Sequence, residues 1–149
     1  MRLVCWNVNG LRTLRSYAPW DGLPTLEACL EALQADIACF QEVKMTHRQL
    51  TYAMCVMEAY DAYYDLHPTK GYAGTATYVR RAVCMPRDAQ VGVTGLGQDL
   101  DAEGRCVVLD CGLFVLLNVY APNETDAERL PYKMALSLIH ISEPTRLGM

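Results

Sequence analysis

Residues 6–12 read Trp-Asn-Val-Asn-Gly-Leu-Arg and close an apolar stretch that begins at the second residue. Residues 40–44 read Phe-Gln-Glu-Val-Lys and close the next apolar stretch in the same way. Along residues 3–8 the side chains alternate between two faces, as in a β-strand, and both faces are apolar until the strand ends. A strand with two apolar faces predicts a sheet that is covered on both sides.

The segment between these strands predicts how they are joined. After a helix start at residues 21–24, three leucines repeat along one helical face: Leu26, Leu30 and Leu33. The second strand follows at residues 36–42. Two strands joined through a helix are almost always parallel, so Asn7 and Glu42 are expected at the same carboxyl edge of the sheet. Ligands of open α/β sheets bind at that edge.

Taken alone, this edge has a simpler interpretation. Asn7 and Asn9 can be turn residues beside Gly10, and Glu42 can be a solvated strand end. Residues further along the chain decide between the two interpretations.

The motifs, taken in order, resemble the exonuclease III type of abasic-site endonuclease, within the endonuclease/exonuclease/phosphatase superfamily. Besides the two strand ends, three blocks occur in the same order: Gly-Tyr-Ala-Gly-Thr-Ala at 71–76, Asp-Ala-Glu-Gly-Arg at 101–105 and Asn-Val-Tyr-Ala-Pro-Asn at 118–123. The block at 101–105, together with residues 128–134, is most similar to the nuclear, second eukaryotic subgroup of that family. The resemblance implies an α/β fold, the N-terminal half of a four-layer α/β sandwich with a mixed sheet and flanking helices.

The resemblance assigns roles around a metal ion. Glu42 matches the principal ligand of Mg²⁺ (or Mn²⁺), and hard cations prefer carboxylate oxygens. Asn7 and Asn9 match positions that orient the metal shell and the reacting phosphate, although some relatives carry Asp at the second position. Tyr120 matches an active-site tyrosine whose phenol donates to a phosphate oxygen, and Asn123 matches an asparagine of the same loop. The alternative for Tyr120 is an aromatic anchor that caps the core.

Five further residues are expected at DNA by the same resemblance. Arg12 follows the turn where relatives touch the DNA backbone, and its guanidinium suits a phosphate. Gly71 and Tyr72 match a loop that lies against the minor groove, where glycine permits close approach. Lys44 and Arg105 match positions that help to hold the site electrostatically. Each of these residues, taken singly, is equally typical of an ordinary surface position.

Composition restricts the kind of DNA contact. A formal net charge of −4 and a pI of about 5.3 argue against a uniformly basic surface and predict localised, salt-sensitive contacts. The seven cysteines form no Cys-x-x-Cys pair and follow no signal peptide, which is typical of a reducing compartment. Four of them are predicted to be small core or strand residues: Cys5, Cys39, Cys106 and Cys111. No segment is long and apolar enough to span a membrane, so a soluble, intracellular protein is expected.

The remaining pattern predicts strands, one helix and one long connection. The strands are expected at 60–66 and 75–83, with a hairpin formed by 105–110 and 113–120; the helix is expected at 46–58, and the connection at 92–104.

The carboxyl end departs from the resemblance. The sequence contains neither Gly-Asp-x-Asn, which would supply the base that activates water, nor Ser-Asp-His, and three histidines are interpreted as surface residues: His47, His67 and His140. Because family domains run about twice this length, residues 1–135 are expected to be a truncated domain, with one sheet of a two-sheet sandwich left uncovered. Residues 136–149 resemble a translated sequencing adaptor and are set aside as an artefactual tail.

The resemblance implies a magnesium-dependent DNA-(apurinic or apyrimidinic site) endonuclease and 3′-to-5′ exonuclease of base excision repair. It is expected to act as a monomer in the nucleus, on double-stranded DNA with an abasic site or a blocked 3′ end, and the chain itself is expected to be inactive. Two other classes stay open. One is a phosphatase or phospholipid diesterase of the same superfamily, which the blocks at 71–72 and 118–123 disfavour; the other is a module that binds DNA or a protein without catalysis.

Overall fold

The computed structural model describes residues 1–92, 101–122 and Pro131, and the strands among these residues form two β-sheets that pack on each other. In chain order the elements are β1 (Leu3–Asn7), α1 (Leu26–Ala32), β2 (Ile37–Gln41), α2 (Tyr52–Cys55), β3 (Tyr60–Asp65), β4 (Thr75–Arg80), β5 (Asp88–Val91), β6 (Cys106–Asp110) and β7 (Val115–Val119). Single 3₁₀ turns occur at Leu14–Ser16, Trp20–Gly22 and His47–Gln49. Within these described ranges no helix has the length and apolar character needed to cross a membrane.

The first sheet is mixed and has the strand order β1-β2-β4-β3. β1 runs parallel to β2, with Leu3 opposite Ile37 and Asn7 opposite Gln41. The other two pairings, β2 with β4 and β4 with β3, are antiparallel. The predicted α/β class and the parallel pairing of the first two strands are therefore confirmed.

The helix that joins β1 to β2 begins later than the sequence predicted. Leu23 is extended (φ −94°, ψ 135°), as expected for a residue that precedes a proline, so the helix cannot run through residues 21–24. It starts instead after Thr25, whose side chain accepts a hydrogen bond from the backbone N–H of Ala28 (3.1 Å). The predicted leucine face does pack on the core, with Leu26 and Leu30 buried.

The second sheet, in the order β5-β6-β7, is antiparallel throughout. The hairpin of β6 and β7 confirms the prediction, whereas β5 was not predicted: it has only four residues, Asp-Ala-Gln-Val, and all of them are exposed. This sheet packs on the first one through a shared buried cluster: Ile37, Cys39, Val79, Val107 and Leu109. The expectation that one sheet would be left uncovered is therefore wrong, since the described residues include strands of both sheets.

β1 is less buried than its sequence predicted. Every residue of β2 is buried, but on β1 the face that carries Leu3, Cys5 and Asn7 is exposed. β1 is an edge strand, and no strand of the second sheet is among its main contacts. Of the cysteines predicted as small core or strand residues, Cys5 is an exposed strand residue, Cys39 and Cys106 are buried and Cys111 is half-buried.

The predicted helix at residues 46–58 is replaced by two short turns. Thr46 and Gln49 form a capping box around the 3₁₀ turn at His47–Gln49. Leu50 and Thr51 then return to extended conformations (ψ 127° and 159°), which interrupts the helix before α2. Residues 93–100, most of the predicted long connection, and the tail at 136–149 lie outside the described residues.

Candidate active site

Three strand ends converge on one carboxylate. Asn7 is the last residue of β1, Glu42 follows β2, and Tyr120 follows β7 of the other sheet. The Asn7 amide Nδ2 donates to Glu42 Oε1 (3.0 Å), and the Tyr120 hydroxyl donates to the same oxygen (2.8 Å). The structure thus brings together three of the residues that the sequence proposed for catalysis and metal binding.

The backbone around this carboxylate adopts uncommon conformations. Asn9, Glu42 and Lys44 have positive φ values of 49°, 54° and 52°, which cost energy in residues that have a Cβ and are concentrated at functional sites. The two loops are held side by side, because Gly10 N–H donates to the Glu42 carbonyl (2.7 Å). This hydrogen bond between the loops that follow β1 and β2 therefore helps to hold the strained residues in place.

The contacts of Glu42 determine its ionisation. The pKa of this carboxyl is lowered, mainly by the hydrogen bond from Asn7, with further contributions from Tyr120 and Lys44 that oppose partial burial. Lys44 Nζ lies 3.5 Å from Glu42 Oε2 and also donates to Asn9 Oδ1. Burial and the contact with Glu42 raise the pKa of Tyr120 to about 12, so the phenol keeps its proton at neutral pH and remains a donor.

This donor set fits a hard divalent cation. Glu42 is ionised, and Asn7 and Asn9 bring neutral amides to the same edge. Among residues 1–92 and 101–122, no three His, Cys, Asp or Glu side chains lie together as a metal cluster. Mg²⁺ is commonly held by one or two carboxylates and completes its octahedral shell with water. The amide oxygen of Asn7 is neutral and already accepts from the backbone N–H of Asn9 (3.2 Å). Because Glu42 brings a charged oxygen donor, it is the strongest candidate ligand.

The position of Arg105 contradicts a direct contact with DNA. Its side chain is 2% exposed, and its guanidinium lies over the rings of Tyr120 (5.1 Å) and Tyr72 (5.5 Å). It donates to the Tyr72 hydroxyl (3.0 Å) and the Tyr120 carbonyl (3.3 Å), and it pairs with Glu103 (2.7 Å). Arg105 therefore supports two tyrosines from beneath, because both rings fold over it.

The other residues predicted at DNA lie on the surface beside the carboxylate. Arg12 is exposed and donates to the Lys44 carbonyl (3.3 Å), and it lines a cleft together with Arg15. Gly71 is exposed, and the backbone of its loop lies near Lys44, since a Cβ built at Gly71 would be 3.6 Å from the Lys44 carbonyl oxygen. Tyr72 is 43% exposed. Arg12, Lys44, Gly71 and Tyr72 thus form one continuous surface, whereas Asn123 lies outside the described residues.

Three buried polar residues near the site were not predicted. Gln41 and Asn118 pair with each other across the two sheets (2.8 Å). Asp65 accepts from the backbone N–H of Cys106 (3.0 Å), and burial raises its pKa to about 6. For Gln41 and Asn118 the available sequence signal was a polar residue in an otherwise apolar strand, which calls for a buried partner.

Comparison with known proteins agrees with this geometry. The family model described as the endonuclease/exonuclease/phosphatase family matches residues 4–142. The chain belongs to this family. The match includes part of the segment at 136–149 that the sequence analysis set aside.

Similar members of the family include a DNA endonuclease and an exodeoxyribonuclease. The chain is 32% identical over 166 aligned positions to the DNA-(apurinic or apyrimidinic site) endonuclease 2 of Schizosaccharomyces pombe, which covers 91% of this chain and 32% of that protein. It is 34% identical to the exodeoxyribonuclease of Bacillus subtilis, covering 90% of this chain and 48% of that protein. Among solved structures, the Xenopus laevis APE2 catalytic domain superposes with a TM-score of 0.74 at 29% identity, covering 93% of this chain and 51% of that one. The chain thus spans about half or less of the length of these relatives.

Proposed function

We propose that this chain forms the metal-binding and phosphate-binding part of an active site that hydrolyses DNA phosphodiester bonds at abasic sites and blocked 3′ ends. The observation that carries the proposal is the ionised Glu42 carboxylate, held by Asn7 and Tyr120 where strands from two sheets converge. The names of the similar proteins, an abasic-site endonuclease 2 and an exodeoxyribonuclease, support DNA as the substrate.

Each residue at the edge has a task in this proposal. Glu42 would hold Mg²⁺ (or Mn²⁺) and Asn7 and Asn9 would orient its shell; the chemistry that such a cation supplies is neutralisation of charge on the scissile phosphate. The single O–H of the protonated Tyr120 donates to Glu42 in this structure, and with DNA bound it would donate instead to a phosphate oxygen as charge develops there. The printed sequence contains no Gly-Asp-x-Asn segment, which would supply the base that activates water. The chain is therefore proposed to bind metal and DNA without turnover.

The surface beside the carboxylate is proposed to hold double-stranded DNA. Arg12 and Lys44 contact backbone phosphates, and Gly71 and Tyr72 lie against the minor groove. Arg105 contributes by fixing Tyr72 and not by touching DNA. The protein is proposed to act as a monomer in the nucleus, as suits a repair enzyme for damaged DNA.

Metal binding tests the carboxylate directly. Calorimetric titration with Mg²⁺ and Mn²⁺ should detect a site in the unaltered chain whose affinity falls about tenfold or more in Glu42→Gln, because a coordinating charge is lost. Glu31→Gln is the matched control, since Glu31 is an exposed carboxylate that pairs with Arg80. Equal affinity in the unaltered chain and in Glu42→Gln would refute the metal assignment.

A substrate panel tests the choice of DNA. Binding of an abasic duplex and of a duplex with a 3′-phosphate should strengthen with Mg²⁺, whereas an inositol phosphate should bind weakly under both conditions. Stronger binding of the inositol phosphate would favour a phosphatase or phospholipid diesterase, and metal-independent DNA binding would favour a non-catalytic module. Incision that Glu42→Gln abolishes would show that the chain holds a complete site.

A further inference from the structure

Two buried amides lie directly behind the site residues Glu42 and Tyr120. Gln41 is the last residue of β2, one position before Glu42, and Asn118 lies on β7, two positions before Tyr120. Their exposed fractions are only 9% and 2%. The two side chains come from different sheets and are separated by 77 positions in sequence.

The amides form a dense set of hydrogen bonds across the interface. Gln41 Nε2 donates to Asn118 Oδ1 (2.8 Å) and to the carbonyl of Cys39 (3.2 Å). Asn118 Nδ2 in turn contacts three acceptors of the first sheet: the carbonyls of Ala76 (2.9 Å) and Phe40 (3.3 Å) and Oγ1 of Thr77 (3.1 Å). One side chain of β7 is thereby tied to β2 and β4 together.

These contacts are directional, unlike the apolar contacts around them. The rest of the interface between the sheets consists largely of aliphatic side chains such as Ile37, Val107 and Leu109, which tolerate small displacements. A buried amide is stable only when its donors and acceptors are satisfied, so it penalises any shift of one sheet over the other.

The same contacts determine where Tyr120 lies. Side chains two positions apart on a strand point to the same face, so Asn118 and Tyr120 both face the first sheet. The opposite face of β7 carries the partly exposed Val115 and Val119, and β7 is the last strand of its sheet in the described part of the chain. Arg105 holds Tyr120 within the second sheet, and Asn118 is the polar anchor that ties the strand carrying Tyr120 to the first sheet.

We propose that Gln41 and Asn118 are a positioning pair that sets the separation between the Tyr120 hydroxyl and the Glu42 carboxylate. Neither amide touches substrate or metal; both act through the strand ends that they join. The catalytic value of this separation rests on the proposed function, whereas the separation itself can be measured without activity.

The test places 3-fluorotyrosine at position 120 of the full chain and records its ¹⁹F resonance at pH 6. Glu42→Gln should shift this resonance, because the phenol donates to Glu42. In an Asn118→Leu background the shift caused by Glu42→Gln should fall by about twofold or more, since coupled residues give non-additive effects. Leu30→Ala, a buried change in α1, is the control for general destabilisation and should leave the coupling intact.

A second variant guards against loss of folding. Gln41→Met keeps the length of the side chain, removes the donor to Asn118, and should reduce the same coupling. Unchanged coupling in both variants would overturn the proposal, and so would loss of the folded state in both, because the pair would then act on folding and not on position. Mg²⁺ titration of the same samples distinguishes failure of the positioning pair from failure of the proposed function. If Glu42→Gln leaves the Mg²⁺ affinity unchanged, the proposed function is refuted, while the fluorine measurement still tests the positioning pair.

Discussion

At the residue scale, the region of the site contains two carboxyls whose pKa values are shifted in opposite directions. Glu42 is stabilised as a carboxylate because Asn7, Tyr120 and Lys44 all favour its charge. Asp65 is stabilised in its neutral form because burial outweighs the hydrogen bonds that it accepts from backbone N–H groups. A carboxyl group at one strand end is therefore held as a charge, whereas a carboxyl group at another strand end is held as a buried acid.

Asp65 should make the free energy of unfolding depend on pH. Its pKa in the folded protein, about 6, exceeds the ordinary value of 3.8, so the folded state binds the proton more tightly than the unfolded state does. The stability that this proton contributes is complete below about pH 4, is lost as the pH rises through about 6, and amounts to about 3 kcal/mol. Urea unfolding from pH 4 to 7.5 should show this loss in the unaltered protein relative to Asp65→Asn.

The neighbours of Asp65 define the controls for that measurement. Asp101 raises its pKa and His47 lowers it, while the backbone N–H groups of Arg105 and Cys106 favour the ionised form. Repeating the comparison in a His47→Gln background removes the imidazole, whose charge lowers the pKa of Asp65. Parallel stability curves for the unaltered protein and Asp65→Asn would contradict the prediction.

Some residues of the site were predictable and others were not. The meeting of Asn7 and Glu42 follows from the connection between two parallel strands, a rule that needs only local patterns. The burial of Arg105 depends on the rings of Tyr72 and Tyr120, which come from distant loops and have no local signature. The pairing of Gln41 with Asn118 likewise depends on how the two sheets pack.

At the element scale, the predictions succeeded where the local signal was strong. β1 and β2 were predicted because apolar residues fill them, whereas β5 escaped prediction because it lies on the surface with no buried face. The predicted helix at 46–58 failed because Leu50 and Thr51 adopt extended conformations between the 3₁₀ turn at His47–Gln49 and α2.

The entry to β6 depends on a glycine. Gly104 has φ +72°, and a Cβ built there would lie 2.6 Å from the Leu66 carbonyl carbon and 2.7 Å from the Asp65 oxygen. Gly104→Ala should therefore destabilise the protein by about 2 kcal/mol or more, because backbone atoms cannot move aside easily. Urea unfolding measures this loss of stability.

A second glycine supplies the matched control. At Gly22 a Cβ would meet nothing within 4 Å, so Gly22→Ala should change stability by about 0.5 kcal/mol or less. Equal effects of the two substitutions would show that the turn before β6 adapts, and would contradict the argument from close contact.

At the scale of the whole molecule, the net charge is negative, whereas the residues proposed to contact DNA are positively charged. The chain carries a formal net charge of −4, yet Arg12 and Lys44 lie together next to the Glu42 carboxylate. A protein of this charge repels DNA over most of its surface, so binding must be concentrated where those two cations lie.

This arrangement predicts a shallow but residue-specific dependence of DNA affinity on salt. With about two phosphate contacts, the logarithm of the association constant should fall with the logarithm of salt concentration at a slope of about −2. Arg12→Ala should make the slope less steep by about 1, since one phosphate contact is lost.

Arg87→Ala is the control, because Arg87 is exposed and pairs with Asp110 at the opposite end of β6, and it should leave the slope unchanged. Fluorescence anisotropy with an abasic duplex between 50 and 200 mM salt (roughly the range over which phosphate contacts are resolved) provides the measurement. Equal slopes for Arg12→Ala and Arg87→Ala would show that DNA contacts are spread over the surface and are not concentrated beside Glu42.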